Sequence, residues 1–188
     1  MPERVGIVGV PPLDIIAKLN RQNDTIVDLD EPQTKVAIDQ SAHWLPRVYC
    51  AILRTVVLNC MELALDRLYI DIGPGKCDAA LHVADILEDM LAIPVHRTCN
   101  EDSLDFGFPL CTTEMPLIEK FIAITKSVQL ATPHTPLPPC QPLCGFWGVP
   151  PRDFSLLESF PARTHVFGWT RCMENKTPDN ATLEEMFD

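Results

Sequence analysis

The sequence lacks the features of several common classes of protein. Basic residues are scarce, with 15 lysines and arginines against 26 aspartates and glutamates, which gives a net charge of −11. Nucleic acids and anionic membrane surfaces both require basic patches, so we expect neither as a partner. The longest apolar stretch, 48–65, is interrupted by Arg54 and Glu62. It therefore predicts a buried helix and not a membrane span.

Targeting and catalytic signatures are also missing. The sequence does not open with the basic start and apolar core of a signal peptide, so we expect a cytoplasmic protein with reduced thiols. There is no G-x-S-x-G elbow, and the five histidines match no H-x-x-x-H or H-E-x-x-H spacing. The eight cysteines include no C-x-x-C pair, so the usual tetrathiolate signature is absent. Hydrolase chemistry is therefore unsupported.

Apolar residues and cysteines are, by contrast, abundant. Apolar residues make up 46% of the chain, which indicates an extra buried surface. We expect a homo-oligomer or a subunit of a larger protein complex. Eight thiols in a chain of 188 residues suit a reducing, anaerobic cell.

A short phrase occurs twice. Residues 6–14 read GIVGVPPLD and residues 145–153 read GFWGVPPRD. Each copy is an apolar run, a Gly-Val-Pro-Pro turn, a helix-like stretch and a second apolar run. This order predicts a duplicated strand–helix–strand unit over 5–29 and 144–169.

Strands alternate with helices along the chain, which predicts the α/β class with a mostly parallel, Rossmann-like three-layer sheet. The proline-rich segment 132–143 reads as a stiff connector. We therefore expect an α/β domain over 1–131, the connector, a second copy over 144–172 that completes the same sheet, and an acidic tail over 173–188.

Ligands of such sheets bind beyond the carboxyl ends of the strands. Both Gly-Val-Pro-Pro loops follow a strand, but prolines have no N–H to cradle a phosphate, so a phosphate loop is disfavoured. An aromatic wall for a flat cofactor is also conceivable there. The cofactor-binding candidates in these regions are Gly9, Val10, Pro11, Gly148, Val149, Pro150 and Trp169.

The segment 71–78 also links a strand to a helix. Asp71, Gly75 and Lys76 would meet an anion at the helix start, although the spacing is not that of a Walker loop. Cys77 lies beside Lys76 at the same helix start, which favours its thiolate form. Asp28 ends the second strand, where nucleotide-binding folds place their ribose-binding acid.

The thiols divide by the edge of the sheet that they occupy. Cys77, Cys99 and Cys172 follow strands, with Cys111 reachable from its loop, and such thiolates would hold zinc or an iron–sulfur cluster. Cys144 precedes the fifth strand, whereas Cys172 follows the sixth. The two thiols would therefore lie at opposite edges of the sheet, about 15 Å apart. Cys140 and Cys144 are therefore less favoured as ligands, and a disulfide between them stays open.

Three functions remain. The first is a cofactor- or metal-binding protein, an accessory, maturation or electron-transfer component of anaerobic redox metabolism. The second is a nucleotide- or anion-dependent enzyme that uses Asp28 and the turn from Asp71 to Lys76. The third is a non-catalytic subunit that binds a larger partner.

Overall fold

The computed structural model describes residues 1–72, 77–101, 108–130, 137–148, 151 and 153–167. The chain divides into two compact units, 1–100 and 101–188. Among the described residues, no helix is long and apolar enough to cross a membrane.

The first unit alternates strands and helices, as the sequence predicts. Its elements are β1 (Arg4–Val8), α1 (Leu13–Arg21), β2 (Thr25–Asp28), a 3₁₀ helix (Ile38–His43), α2 (Ala51–Glu62), β3 (Arg67–Asp71), α3 (Asp78–Met90) and β4 (Val95–Thr98). The apolar stretch 48–65 forms a shorter helix than the sequence predicts, from Ala51 to Glu62. Residue 50 has an extended backbone with ψ 159°, so the helix begins only after it.

The four strands form one parallel sheet in the order β2-β1-β3-β4. The chain moves outward from β1 to β2, returns past β1 to β3 and continues to β4. Because such crossovers are right-handed, α1 covers one face and α2 and α3 cover the other. The α/β class and the parallel three-layer sheet are thus confirmed. The reversal between β1 and β3 is the topological switch point, where ligands of such sheets bind.

The core of this sheet explains the apolar runs in the sequence. Val5 and Ile7 are fully buried and Val8 nearly so, as expected for a strand covered on both faces. Gly6 lies among them, and a Cβ atom added there would be 2.6 Å from Leu29 Cδ1. Close packing therefore requires glycine at position 6.

The second unit contains a smaller sheet. Its elements are α4 (Phe108–Cys111), α5 (Leu117–Leu130), β5 (Cys144–Trp147), a 3₁₀ helix (Phe154–Ser159) and β6 (Thr164–Phe167). β5 and β6 pair directly and in parallel. Their core is an apolar cluster formed by Leu110, Cys111, Leu117, Phe121, Ile124, Leu157 and Val166.

The two copies of the repeat share the order of their elements but differ in detail. Thr25 pairs with Arg4 in the first copy, whereas Thr164 pairs with Cys144 in the second, a register one residue off the sequence alignment. The second copy also has a 3₁₀ helix of 6 residues where the first has an α-helix of 9.

The second copy forms a sheet of its own, although the sequence predicted that it completes the first. Among the described strands, β5 pairs only with β6. The burial along β5 explains the difference, because half-buried residues alternate with the exposed Gly145 and Trp147. Such a strand has one face on a core and does not belong inside a sheet covered on both faces.

Candidate functional site

A buried polar network joins the end of β3 to the loops that follow β1 and β4. Asp71 ends β3 and is 4% exposed. Its Oδ1 accepts hydrogen bonds from Thr98 Oγ1 at 2.7 Å and from the Asn100 N–H at 2.9 Å. The Asn100 side-chain amide in turn donates to the Val10 carbonyl at 2.9 Å. The end of β3 and the loops after β1 and β4 are therefore held in a fixed arrangement.

The loop after β1 is also tied to the end of β2. Gly9 has φ 69°, a conformation that favours glycine. Its N–H donates to Asp30 Oδ2 at 3.0 Å, and the Asp30 N–H donates to Asp28 Oδ1 at 3.2 Å. The next residues include Pro11 and Pro12, which have no N–H. Because the Gly9 N–H already donates to the Asp30 carboxylate, the loop is poorly suited to bind a phosphate.

Two cysteines flank this network. Cys77 directly precedes α3 and Cys99 directly follows β4; both are exposed and neither is in a disulfide. β3 and β4 are paired neighbours in a parallel sheet. The loops after them therefore meet at the same edge, and the two thiols share that edge with Asp71.

Only part of the predicted metal site lies among the residues that the structure describes. Within the described residues, no three His, Cys, Asp or Glu side chains are arranged to hold a metal ion. Cys172, the third predicted ligand, lies outside them, as do Gly75, Lys76, Val149, Pro150 and Trp169. The metal set of Cys77, Cys99 and Cys172 thus stays a prediction.

The remaining cysteines differ in state. Cys111 is disulfide-bonded, which removes its thiol from the possible ligands and departs from the expectation of reduced thiols. Cys140 and Cys144 are half-buried and neither is in a disulfide. Cys50, which lies in the apolar stretch 48–65, is exposed before α2, and Cys60 is buried within α2.

The second Gly-Val-Pro-Pro loop begins at Gly148, directly after β5. Gly148 has φ 122°, and its N–H donates to the Phe167 carbonyl at 2.9 Å. Trp147 is 64% exposed, and its ring stacks on Phe167 with 6.3 Å between the ring centroids. The exposed Trp147 ring and the half-buried Phe167 ring thus lie together at β5 and β6, and the aromatic wall for a flat cofactor stays a prediction.

A second group of functional side chains lies in the second unit. Cys140 Sγ is 3.8 Å from His165 Nε2, and the same ring nitrogen is 2.9 Å from the Cys140 carbonyl oxygen. A carbonyl oxygen only accepts, so Nε2 carries the hydrogen in this contact. The imidazole is thereby oriented beside the sulfur.

Lys120 completes this second group. It is fully buried, and its Nζ donates to the Thr164 carbonyl at 2.6 Å. Burial lowers the pKa of the Lys120 ammonium below its ordinary value, and the electrostatic effect of the Cys140 side chain only partly opposes this. The sequence analysis missed this lysine, although its spacing from Leu117 and Ile124 places it on the apolar face of α5.

The fold and these sites define an α/β protein with a doubly wound parallel sheet and a separate two-stranded unit. No protein-family model, curated protein or solved structure matches the chain. The chemistry of the described residues therefore carries the functional argument.

Proposed function

We propose that this chain is a cofactor- or metal-binding α/β protein, with Cys77 and Cys99 as soft ligands at the carboxyl edge of its first sheet. The observation that carries the proposal is the pair of exposed, reduced thiols in the loops after two adjacent parallel strands. Thiolates select zinc, copper(I) and iron–sulfur clusters over hard cations. An accessory, maturation or electron-transfer role in anaerobic redox metabolism follows from such a ligand.

The polar network supports this proposal because it fixes the loop that carries Cys99. Thr98 and Asn100, the neighbours of Cys99, are both bonded to Asp71. A site whose supporting residues are already ordered loses little entropy when its ligand binds. Two thiolates do not complete a tetrahedral metal site, so we propose that the cofactor itself supplies the other ligands.

The charge of this edge supports a cation over an anion. Asp71 and Asp28 are buried carboxylates, and the half-buried Asp30 accepts the Gly9 N–H. The first loop offers two prolines where a phosphate site would offer amides. A metal ion or a cationic cofactor therefore fits the edge better than a phosphate.

Cobalt(II) titration tests the proposal, because thiolate-bound Co²⁺ gives charge-transfer absorption that aqueous Co²⁺ lacks. We expect the band in the reduced full-length protein and its loss in Cys77→Ser and in Cys99→Ser. Cys50→Ser is the matched control, since Cys50 is exposed and likewise precedes a helix. No band in the wild type, or one unchanged in both variants, would contradict the proposal.

A nucleoside ligand is the second candidate, favoured by one contact. Asp30 follows β2 and accepts the N–H of Gly9, which places a carboxylate beside the first loop, where a ribose hydroxyl would donate to it. In this case adenosine should raise the melting temperature of the wild type and not of Asp30→Ala. Asp14→Ala is the control, because Asp14 is exposed in the first turn of α1.

A further inference from the structure

The two-stranded sheet of the second unit has a covered inner face and an exposed outer face. Phe146 and Val166 lie on the inner face and pack in the apolar cluster that contains Leu157. The residues of the outer face, which alternate with these along the two strands, are Gly145, Trp147, His165 and Phe167. Trp147 is 64% exposed there. Because parallel sheets are ordinarily covered on both faces, the outer face is suited to contact another molecule.

The rings of the outer face form a continuous aromatic surface. The ring centroid of Phe167 lies 6.3 Å from that of Trp147 and 6.1 Å from that of His165. Gly145 leaves space for this arrangement, because a Cβ atom there would lie 3.2 Å from Phe167 Cε2. The Phe167 ring therefore lies against the backbone of β5, with the exposed Trp147 indole beside it.

A proline-rich segment, 137–143, adjoins this surface and reads LPPCQPL. His165 Nε2 donates to the Cys140 carbonyl at 2.9 Å, and the Leu143 N–H donates to the Arg163 carbonyl at 2.8 Å. The segment has neither helix nor strand, and every residue in it except Cys140 is exposed. Its backbone is thus fixed to the second unit while its proline and leucine side chains face outward.

The composition of this segment favours the conformation that aromatic surfaces bind. Its prolines restrict φ and hold the preceding residues extended. Pro139 and Pro142 have the P-x-x-P spacing of polyproline II ligands, which dock on aromatic side chains. Because hydrogen bonds already hold the segment in place, it loses little entropy on binding. One copy of the chain therefore exposes both partners of a polyproline–aromatic contact.

The charge distribution favours a second copy of the chain as the occupant of the outer face. Residues 127–151 contain no Asp, Glu, Lys or Arg, although these types make up 22% of the chain. The segment therefore does not select a charged partner. Two copies with a net charge of −11 each repel one another in general, and an uncharged surface is where they approach most readily.

We propose that the outer face is a homodimer interface, in which the segment 137–143 of each copy packs on Trp147 and Phe167 of the other. A two-fold axis relates the two contacts, since each copy supplies one proline segment and one aromatic surface. Trp147 contributes most to the interface, because a tryptophan that becomes buried at the centre of an interface dominates the binding energy.

Sedimentation velocity of the full-length protein tests for the dimer, under reducing conditions that prevent disulfides between copies. We expect a dimer at about 10–100 µM and a dissociation constant raised at least about tenfold in Trp147→Ser. Leu143→Ser should also weaken the dimer, and Leu156→Ser is its matched control. Leu143 is 65% and Leu156 59% exposed, but Leu156 lies in the 3₁₀ helix that packs on the inner cluster through Leu157.

A mixture of Trp147→Ser with the Pro139→Ala/Pro142→Ala double variant tests the reciprocal contact. The mixed dimer keeps one intact proline–aromatic contact, whereas each variant alone has both contacts impaired. We therefore expect more dimer in the mixture than in either variant alone.

Three results would overturn the homodimer. They are a wild type that stays monomeric at about 100 µM, a dimer unchanged in folded Trp147→Ser and Leu143→Ser, and a mixture no more dimeric than its separate components. A monomeric wild type that binds a synthetic proline-rich peptide would likewise overturn it and assign the outer face to a different protein.

Discussion

The Asn100 side chain donates a hydrogen bond of 2.9 Å to the carbonyl of Val10, a residue 90 positions earlier in the chain. Both residues are buried. The bond joins the loop after β4 to the loop after β1, across the strand order β1-β3-β4. It therefore fixes the switch-point edge on which the proposed site depends.

Asn100→Leu should lower the free energy of unfolding by about 1–3 kcal/mol, because it leaves the buried Val10 carbonyl without this donor. Urea unfolding measures the change. Lys18→Ala, at an exposed position of α1, should change stability by less than about 0.5 kcal/mol. Equal effects of the two substitutions would show that the bond to Val10 contributes nothing.

Thr98→Val should also destabilise the protein, by about 1–2 kcal/mol, because it removes the hydroxyl that donates to the buried Asp71 carboxylate at 2.7 Å. Thr98→Ser keeps the hydroxyl and is the matched control. Thermal unfolding of the two variants should differ, with the serine variant closer to the wild type. A valine variant as stable as the serine variant would contradict the role of this hydrogen bond.

Gly6→Ala and Gly145→Ala compare equivalent positions of the repeat. A Cβ at Gly6 would lie 2.6 Å from Leu29 Cδ1, whereas one at Gly145 would lie 3.2 Å from Phe167 Cε2. We expect Gly6→Ala to cost about 1–3 kcal/mol and Gly145→Ala to cost less, since overpacking is most severe in an enclosed core. Denaturant midpoints give the comparison, and the reverse order would refute it.

Cys60 predicts a pH dependence of stability. Burial raises the pKa of its thiol to about 12 from the ordinary value of 9.0. The unfolded chain releases this proton above pH 9 while the folded chain keeps it, so stability falls as pH rises through that range. The stability of the wild type relative to Cys60→Ala should therefore decrease between about pH 8 and about pH 10. A difference that stays constant with pH would contradict the burial of this thiol.

The fold of the first unit was predictable because the sequence patterns that indicate it involve residues close together in the chain. Apolar runs, Gly-Val-Pro-Pro turns and the alternation of strands with helices are read from neighbouring residues, and the parallel sheet follows from them. The separate second sheet was not predictable in the same way. Whether β5 joins the first sheet depends on what covers Trp147 and Gly145, which only the tertiary structure shows.

The sequence predicted where the candidate site lies in the fold, but not which side chains hold it together. The strand-end rule located Gly9, Asp71, Cys77 and Cys99 on one edge. It gave no reason to choose Asn100, because the bond from Asn100 to Val10 depends on how distant loops meet.

Lys120 was missed in the sequence for a different reason. Its position on the apolar face of α5 was visible in the spacing, but a lysine within an apolar run is ordinarily assigned to the solvent side. Its hydrogen bond to Thr164 spans 44 residues. This contact therefore emerged only from the folded chain.

Metal analysis of the protein purified without oxygen tests the central claim most directly. Elemental analysis and an absorption spectrum of the wild type are compared with those of the Cys77→Ser/Cys99→Ser double variant, with Cys50→Ser as control. The account predicts near-stoichiometric zinc or iron in the wild type and in Cys50→Ser, and its loss in the double variant. A wild type that carries no metal, or a double variant that retains it, would contradict the assignment of these two thiols.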